Sequence, residues 1–418
     1  MGFFDFFKSK SSNANYAISL DIGTEFVKTL IFKVENEKAH ILGVGKQRQK
    51  LTDMQSGTVT DIHGVIKNCE QSLEMAASQA KILPDQVIIG IAGELVKGTT
   101  TTIRYTRPKP QTKITMQELK DIIARVQRRA FDRARSILSW ESGIAELDIR
   151  LVNAAVVDVR IDGYKIVNPI GFQGKEMQIG VFNAFAPIVH LGALQTIAQS
   201  LELDLISIVA EPYAVARCMG PEETSDFSAI FVDIGGGTTD IAIVTTGGVA
   251  GTKMFALGGR AFTKRISQVL ALPFSEAEKL KIQYSKNQLT GKKQELIKKA
   301  LVSDCKVWTA GVELTLGEFK GIELLPSKIY LCGGGSSLPD LVQALKDKKW
   351  NKKLPFARRP LVEHINPKNI TTIIDDTKEL KDPMHVTPMA MASLSIELVG
   401  QEKVVDGILN SVVKTLGK

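Results

Sequence analysis

The sequence lacks the features of several large classes of protein. No window of the 418 residues approaches the run of about 18 apolar residues that a membrane-spanning helix needs. The apolar start of the chain is short and has no small-residue cleavage site, so we expect no secretory signal. Cys69, Cys218, Cys305 and Cys332 are too far apart for a Cys-x-x-Cys metal or redox motif. These absences favour a cytoplasmic protein with reduced, mostly buried thiols.

Two common nucleotide motifs are also missing. Neither Gly45-Lys46 nor Gly291-Lys292 is followed by Ser or Thr, so neither forms the Gly-Lys-Ser/Thr of a P-loop. The stretch from Gly235 to Asp240 lacks the third glycine of the Rossmann fingerprint. The formal net charge is +8, but no zinc-finger spacing or aromatic-interleaved basic stretch accompanies it. We therefore expect no nucleic-acid partner.

The positive charge is concentrated in two places. One is the Lys-rich stretch from Lys279 to Lys306. The other is a predicted helix that carries five arginines: Arg125, Arg128, Arg129, Arg133 and Arg135. A solvated helix face, contact with acidic protein tails and contact with anionic lipid all fit this pattern.

The sequence does contain an internal echo. In "ISLDIGTEFVKTLIF" (18–32) and "AIFVDIGGGTTDIAIV" (229–244), an apolar strand ends in Asp-Ile-Gly, one or more Thr follow, and a second apolar strand begins. Asp21 and Asp233 are 212 positions apart, which predicts two related halves rather than a short-period repeat. The length of the chain allows two or more domains with cores of their own.

Such turns have the chemistry of phosphate loops. Glycine lets backbone N–H groups approach phosphate oxygens, Thr adds hydroxyl donors, and successive N–H groups form an anion-binding concavity. An Asp at the end of the strand is suited to hold a hydrated divalent cation. The stretch "LCGGGSSLPDL" (331–341) adds a strand, a glycine turn and a helix N-terminus that favours an anion or polar ligand edge.

These residues resemble the actin, sugar kinase and heat-shock chaperone ATPase superfamily, and within it bacterial FtsA. The superfamily's two phosphate loops, adenosine loop and two connecting helices follow a constant chain order. They are matched by "DIGT" at 21, "AEPYAVA" at 210, "DIGGGTTD" at 233, "LCGGGSSLPDL" at 331 and "PMAMASLSIEL" at 388. The motifs "ALGGRAFTKRI" (256–266) and "EAEKLK" (276–281) also fit. "GTVTDI" (57–62) and "VNPIGFQG" (167–174) are similar to parts of FtsA around its small α+β insert.

The resemblance implies ATP and Mg²⁺ as ligands, with named residues around them. Asp21 and Asp233 take the Mg²⁺ roles through water, and Glu211 is the candidate general base that orients attacking water. Lys28 lies where actin-like relatives often place a phosphate-contacting lysine, and Glu278 and Lys281 match ribose or adenine contacts. The two phosphate loops and the adenosine loop supply Gly23, Thr24, Gly235, Gly236, Gly237, Thr238, Thr239, Gly333, Gly334, Gly335 and Ser336.

The fold class implied is α/β, with duplicated actin-like (ribonuclease H-like) domains and a small α+β insert in the first half. The first subdomain comprises 13–86, 187–225 and 386–400, and the insert 87–186. The second actin-like subdomain comprises 226–262 and 322–385, and a small helical subdomain 263–321. A possible membrane-associating segment, 1–12, and an amphipathic tail, 401–418, form the two ends.

The two ends have the composition of weak membrane anchors. "MGFFDFFKSK" combines four phenylalanines with two lysines, and the tail from Val404 to Leu416 repeats apolar residues at helical spacing. Only a few residues separate this tail from Leu398, whereas FtsA-like proteins typically have a flexible linker there. The tail is therefore expected either to reach lipid or to pack on the body of the protein.

Three functional hypotheses follow. The first is an FtsA-type protein that polymerises and tethers a tubulin-like (FtsZ) division ring to the cytoplasmic face of the inner membrane, by binding the FtsZ C-terminal peptide near 263–321. The second is a PilM-like platform of type IV pilus assembly that binds a peptide of an inner-membrane partner. The third is a true ATP-hydrolysing enzyme, although no sizeable substrate domain remains, so we expect at most weak ATPase activity.

The acid at position 25 is unexpected beside a phosphate turn. Side chains alternate along a strand, so Glu25 and Lys28, three positions apart, are predicted to point to opposite faces. If Lys28 faces the phosphates, Glu25 offers only its backbone N–H there and turns its carboxylate away.

Overall fold

The computed structural model describes residues 15–93, 96–219, 227–245, 248–347 and 349–399. The predicted membrane-associating segment 1–12 and the predicted tail 401–418 lie outside these ranges. Among the residues that are described, none of the helices has the length and apolar character to cross a bilayer.

The described residues form strands and α-helices in a mixed order along the chain. The strands are β1 (Tyr16–Ile22), β2 (Phe26–Glu35), β3 (Lys38–Arg48), β4 (Met54–Gln55), β5 (Thr58–Val59), β6 (Gln86–Ile91), β7 (Lys97–Thr106), β8 (Ile149–Ile161), β9 (Tyr164–Lys165), β10 (Glu176–Pro187), β11 (Asp204–Ala210), β12 (Ala229–Ile234), β13 (Thr239–Thr245), β14 (Gly248–Phe255), β15 (Lys328–Cys332), β16 (Leu361–His364) and β17 (Ile373–Asp375). The helices are α1 (Ile62–Ala80), α2 (Met116–Ser142), α3 (Ile188–Ser200), α4 (Glu211–Met219), α5 (Gly259–Leu270), α6 (Phe274–Ser285), α7 (Gly291–Gly317), α8 (Pro339–Lys346) and α9 (Val386–Val399).

The two halves repeat one sheet topology. A six-stranded sheet has the order β11-β6-β1-β2-β3-β17, in which β1, β2 and β3 are antiparallel while β6 and β11 run parallel to β1. The second sheet begins with the order β16-β15-β12-β13-β14, again with an antiparallel meander and two parallel strands beside its first member. The two similar motifs that lie 212 positions apart therefore belong to two copies of one fold.

The insert extends the second sheet. Strand β14 pairs with β7 at Gly251↔Thr99, and β10, β8 and β9 continue beyond it, so this sheet has nine strands. Helix α2 covers β7 and β10 with an apolar face that includes Leu119, Ile123 and Val126. It begins after Thr115, whose side chain accepts a hydrogen bond from the backbone N–H of Glu118, as the capping pattern predicts.

Three of the predicted domain boundaries need correction. The insert was expected from residue 87, but β6 lies between β1 and β11 in the first sheet, because "VIIGIAG" is a buried parallel strand. The predicted boundary at residue 263 falls inside α5, and β17, expected in the second subdomain, pairs with β3 of the first sheet. The remaining boundaries stay predictions.

Two helices pack together between the halves. Helix α4 contacts α9, and α9 also lies against β1, β2 and β6. The sequence of 388–398 by itself predicts an amphipathic helix, but Met389, Ala390, Met391, Ala392 and Ser395 are all buried. This expectation was wrong because the small residues of this part of the helix let it pack closely against its neighbours.

Candidate functional site

The first glycine turn places a lysine against an acid. Strand β1 ends at Asp21-Ile22, the turn closes with a hydrogen bond from Gly23 N to Phe26 O (3.1 Å), and β2 begins. Lys28 lies opposite Asp21 in the antiparallel pair, with Lys28 Nζ 2.6 Å from Asp21 Oδ2. The ammonium also donates to the backbone oxygen of Met384 at 3.1 Å. This cation is therefore held in place at the end of the central strand.

The second glycine turn repeats the arrangement in the other half. Strand β12 ends at Asp233-Ile234, Gly235 N donates to Thr238 O (2.9 Å), and β13 begins at Thr239. Asp233 accepts a hydrogen bond from the hydroxyl of Thr387, near the start of α9, at 2.5 Å. The connecting helix thus holds one of the two predicted cation-binding acids.

Four carboxyl groups converge where the two turns meet. Burial, then the nearby charges of Asp21, Asp240 and Asp233, raise the pKa of Glu211 well above its usual range. Burial raises the pKa of Asp233 and raises that of Asp240 to about 7. Burial lowers the pKa of Lys28, but its ion pair with Asp21 and the charges of Asp233 and Glu211 more than offset this, so that its pKa is raised. Lys28 is the cation that balances this acidic centre.

The two glycine turns touch each other directly. A Cβ added to Gly236 would lie 2.8 Å from Glu25 Cβ, and one added to Gly237 would lie 2.9 Å from Thr24 Cγ2. Contacts below 3.0 Å do not occur between real Cβ atoms and such neighbours, so these positions require glycine. The first and second glycine turns, one from each half, are therefore packed directly against each other.

An arginine from the second half holds the first turn. Arg260, in α5, donates from Nε to Glu25 Oε2 at 2.7 Å and from Nη2 to Thr24 O at 2.5 Å. Arg48 donates to the other oxygen, Glu25 Oε1, at 2.6 Å. Lys28 and Glu25 thus have different partners, as strand alternation predicts, and the Glu25 carboxylate joins the two halves through Arg260.

The third glycine turn closes on the second. Gly333 has a φ of +79°, which favours glycine, and a Cβ there would lie 2.0 Å from Asp233 Oδ1. Ser336 is fully buried, and its hydroxyl donates to Gly333 O at 2.7 Å. Gly335 packs against Ile234 in the same way. The predicted adenosine loop therefore lies at the end of the strand that carries Asp233.

Glu278 and Lys281 form an internal pair on α6. Lys281 Nζ lies 2.8 Å from Glu278 Oε2 and donates to Gly259 O (2.9 Å) and Thr263 Oγ1 (2.8 Å) on α5. Gly259 N in turn donates to Gly235 O at 2.8 Å. The pair is thus connected to the second turn through Gly259. Its contact with a ribose or an adenine stays a prediction.

Several residues at this centre were not predicted from the sequence. Arg48 and Thr387 carry no motif of their own, whereas Asp240 ends the recognised "DIGGGTTD" stretch and Arg260 lies inside "ALGGRAFTKRI", so both could have been found there. Lys46, in β3, pairs in register with Lys28, and its Nζ lies 4.1 Å from the centre of the Phe26 ring. Burial, followed by the charge of Lys28, lowers the pKa of Lys46.

The donors present fit a nucleotide with a hydrated cation. Three glycine turns whose Cβ positions are blocked leave their backbone groups as the local surface, and Lys28 supplies a positive charge. Within the described parts of the chain, no group of three His, Cys, Asp or Glu side chains is close enough to ligate a metal directly. The Asp21 and Asp233 carboxylates are of the ligand type that suits a cation that keeps its water, as Mg²⁺ does.

The duplicated sheets and the glycine turns between them define the actin-like fold. In agreement, the structure superposes on a chain of the "PilM-PilN type IV pilus biogenesis complex" with a TM-score of 0.62. That match covers 91% of this chain and 98% of the other at 16% identity. The expected fold class is confirmed.

The sequence comparisons identify the nearer relatives. A family model described as "Cell division protein FtsA" matches residues 230–390. The chain is 27% identical to cell division protein FtsA of Neisseria meningitidis serogroup B over 350 residues, covering 78% of this chain and 80% of that protein. It is 24% identical to cell division protein FtsA of Enterococcus faecalis over 398 residues, covering 90% and 86%. The resemblance to bacterial FtsA predicted from the motifs is confirmed.

Proposed function

We propose that the protein binds ATP and Mg²⁺ between its two halves and acts as an FtsA-type scaffold of cell division. The observation that carries the proposal is the centre formed by Lys28, Asp21, Asp233 and Glu211 at the meeting point of two glycine turns. In sheets of parallel strands, ligands bind at such crevices beyond the carboxyl ends of the strands. Similarity to FtsA supports the biological setting.

Each predicted site residue has a role in this proposal. Asp21 and Asp233 hold the water shell of Mg²⁺, and Lys28 contacts phosphate. The turn residues Gly23, Thr24, Gly235, Gly236, Gly237, Thr238 and Thr239 surround the phosphates. Gly333, Gly334, Gly335 and Ser336 border the adenosine, beside Glu278 and Lys281.

Glu211 is the proposed general base, and slow turnover is expected. A carboxylate whose pKa is raised well above its usual range is a stronger proton acceptor than an ordinary one. Phosphoryl transfer depends on positioning and charge stabilisation, and a site can hold nucleotide without turning it over rapidly. We therefore expect ATP to act chiefly by closing the two halves and supporting self-association, with at most weak hydrolysis.

The proposed partner of the helical subdomain is the C-terminal peptide of a tubulin-like division protein. Helix α7 exposes several apolar side chains, among them Val302, Val307 and Leu314, which is 70% exposed. Lys292, Lys293, Lys298, Lys299 and Lys306 are exposed on the same helix. This combination suits an acidic peptide with apolar anchors. Attachment to the cytoplasmic face of the inner membrane is assigned to segments 1–12 and 401–418.

The proposal is tested first by ATP binding. Calorimetric titration at millimolar Mg²⁺ is expected to give a measurable Kd, and E211Q is expected to retain binding while losing the residual hydrolysis. The absence of measurable ATP binding under these conditions would refute the proposal. Co-sedimentation with vesicles and with the tubulin-like protein then tests the tether.

The second candidate function is that of a PilM-like platform. It is favoured by the structural match, which covers 98% of a chain of the PilM-PilN type IV pilus biogenesis complex. A pull-down that offers two peptides, one from the C-terminus of the division tubulin and one from the cytoplasmic segment of a pilus membrane protein, separates the two. Retention of only the second peptide would replace the division role.

A further inference from the structure

The outer face of α2 is strongly basic. Its inner face packs on β7 and β10, whereas five arginines, Arg125, Arg128, Arg129, Arg133 and Arg135, are exposed; of these, Arg125 lies over the ring of Tyr105 in β7, at 5.8 Å. No ion pair within the described residues involves any of the five. Two of the four acids of the helix are paired with other cations: Glu118 with Arg107 (2.8 Å) and Glu141 with Lys97 (2.6 Å). Asp132 is the one exposed acid between the arginines, so the face has a net positive charge.

A tryptophan extends this basic face. Trp140 is 84% exposed, and it follows Arg129 and Arg133 at spacings of eleven and seven residues, which place all three along one stripe of the helix. Ile144, just beyond the end of α2, is 51% exposed. Trp308 and Trp350, by contrast, are buried in the second half. An indole exposed beside cationic side chains is the composition that favours a membrane interface.

The shape of the surface favours lipid over peptide. A cavity of about 290 Å³ opens near the start of α2, where Tyr105, Arg107 and Arg125 line it, but the rest of the stripe, Arg129, Arg133 and Trp140, lies outside it. A bound peptide needs a groove for its anchors, whereas the surface of a bilayer can lie along a convex helix. From Arg125 to Trp140 this stripe is about 22 Å long.

We propose that the outer face of α2 is a second membrane-contact surface, which lies on anionic lipid with Trp140 at the level of the headgroups. This surface goes beyond the proposed function, which assigns membrane attachment to segments 1–12 and 401–418, because it is formed by residues of the insert. A weak anchor and a basic patch that act together hold a protein to a membrane far better than either alone.

Trp140 provides a specific reporter for this contact. Full-length protein is mixed with vesicles of phosphatidylglycerol and phosphatidylcholine, and tryptophan emission is recorded with and without brominated lipid. We expect a blue shift and quenching that are absent with pure phosphatidylcholine and absent in W140F. Because Trp308 and Trp350 are buried, they serve as an internal reference.

Charge removal tests the arginines. R129Q/R133Q is expected to weaken binding to the anionic vesicles about 25-fold at 0.1 M salt, since each basic residue near such a surface contributes about fivefold. K352Q/K353Q, which removes two exposed lysines from the turn after α8, is the matched control and should bind nearly as well as the unmodified chain. Both variants change only exposed positions, and circular dichroism verifies their folding.

The outcomes distinguish this surface from the chain ends. Vesicle binding without any change in Trp140 emission, equal in both double variants, would overturn the contact by α2 and leave the proposed tether intact. A shift of Trp140 with polyglutamate but not with anionic vesicles would likewise overturn the lipid assignment, in favour of an acidic protein tail.

Discussion

At the scale of the residue, two oppositely charged side chains of one hairpin contact different partners. Lys28 faces the acids at the ends of the central strands, and Glu25 faces Arg48 and Arg260. A carboxylate about 4 Å from a phosphate charge costs several kcal/mol near a protein surface. Because the two arginines hold the Glu25 carboxylate, the acid beside the turn is compatible with a phosphate site.

The first prediction concerns Lys28. K28A is expected to weaken ATP binding about 10- to 100-fold, because it removes a charge-assisted donor and leaves Asp21, Asp233 and Glu211 to repel the phosphates. E25A should weaken binding less, and K33A, which removes an exposed lysine of the same strand, should have no effect. Titration calorimetry gives the three affinities, and a larger loss for E25A than for K28A would refute this account.

The second prediction concerns Arg260. A double-mutant cycle with E25Q and R260Q should give a coupling energy of about 1–3 kcal/mol in the free energy of unfolding, because both side chains are largely buried at their contact. The exposed pair Lys253–Glu318 is the comparison, and its coupling should stay below about 1 kcal/mol. Denaturant unfolding measures both cycles. Equal coupling energies would argue against the view that the Glu25–Arg260 ion pair holds the two halves together.

At the scale of the element, the glycine turns determine how closely the halves approach. The second turn contacts the first through Gly236 and Gly237, and the third contacts Asp233 and Ile234 through Gly333 and Gly335. The strands that carry these turns are central in both sheets, so small displacements of the turns are opposed by fully buried neighbours.

The third prediction compares two glycines. G236A should lower ATP affinity at least tenfold and lower the Tm, because its Cβ would meet Glu25 and separate the turns. G192A places the same methyl group in α3, where nothing lies within 4 Å, and should stabilise the protein by up to about 1 kcal/mol. Thermal unfolding and ATP titration of both variants check this, and a G236A protein that binds ATP normally would contradict the proposed packing.

At the scale of the whole molecule, the site belongs to both halves. Asp21 and Lys28 come from the first sheet, Asp233 and Asp240 from the second, and Thr387 from a helix that packs between them. A ligand that contacts residues of both sheets stabilises both at once.

The fourth prediction follows from this shared site. At an ATP concentration of 100 Kd, amides of β1 and β12 that exchange through global unfolding should exchange about 100-fold more slowly, which corresponds to about 2.7 kcal/mol. Amides of α2 that exchange through local opening should not change, since this helix contacts neither glycine turn. Hydrogen-exchange mass spectrometry measures both, and protection confined to one half would contradict a site built from two.

Much of this organisation was predictable because it is local in the chain. Strand, turn and strand are adjacent in "LDIGTEFVK" and "VDIGGGTTD", so apolar patterning and glycine chemistry predict the hairpins and their phosphate character. The capping pattern at Thr115 and Glu118 predicts where α2 begins for the same reason. The fold class and the similarity to FtsA followed from the order of these motifs.

What the sequence by itself determined is therefore the set of loops, their order and the duplication of the fold. Only the tertiary structure decided that β6 and β17 join the first sheet, that residues 386–395 of α9 are buried, and that Arg260 reaches Glu25 across 235 positions of chain. The physical reason is that pairing partners and burial depend on contacts between distant segments, which no local pattern encodes. The contact between Arg260 and Glu25 is of this kind, and it explains how an acid can lie beside the phosphate turn.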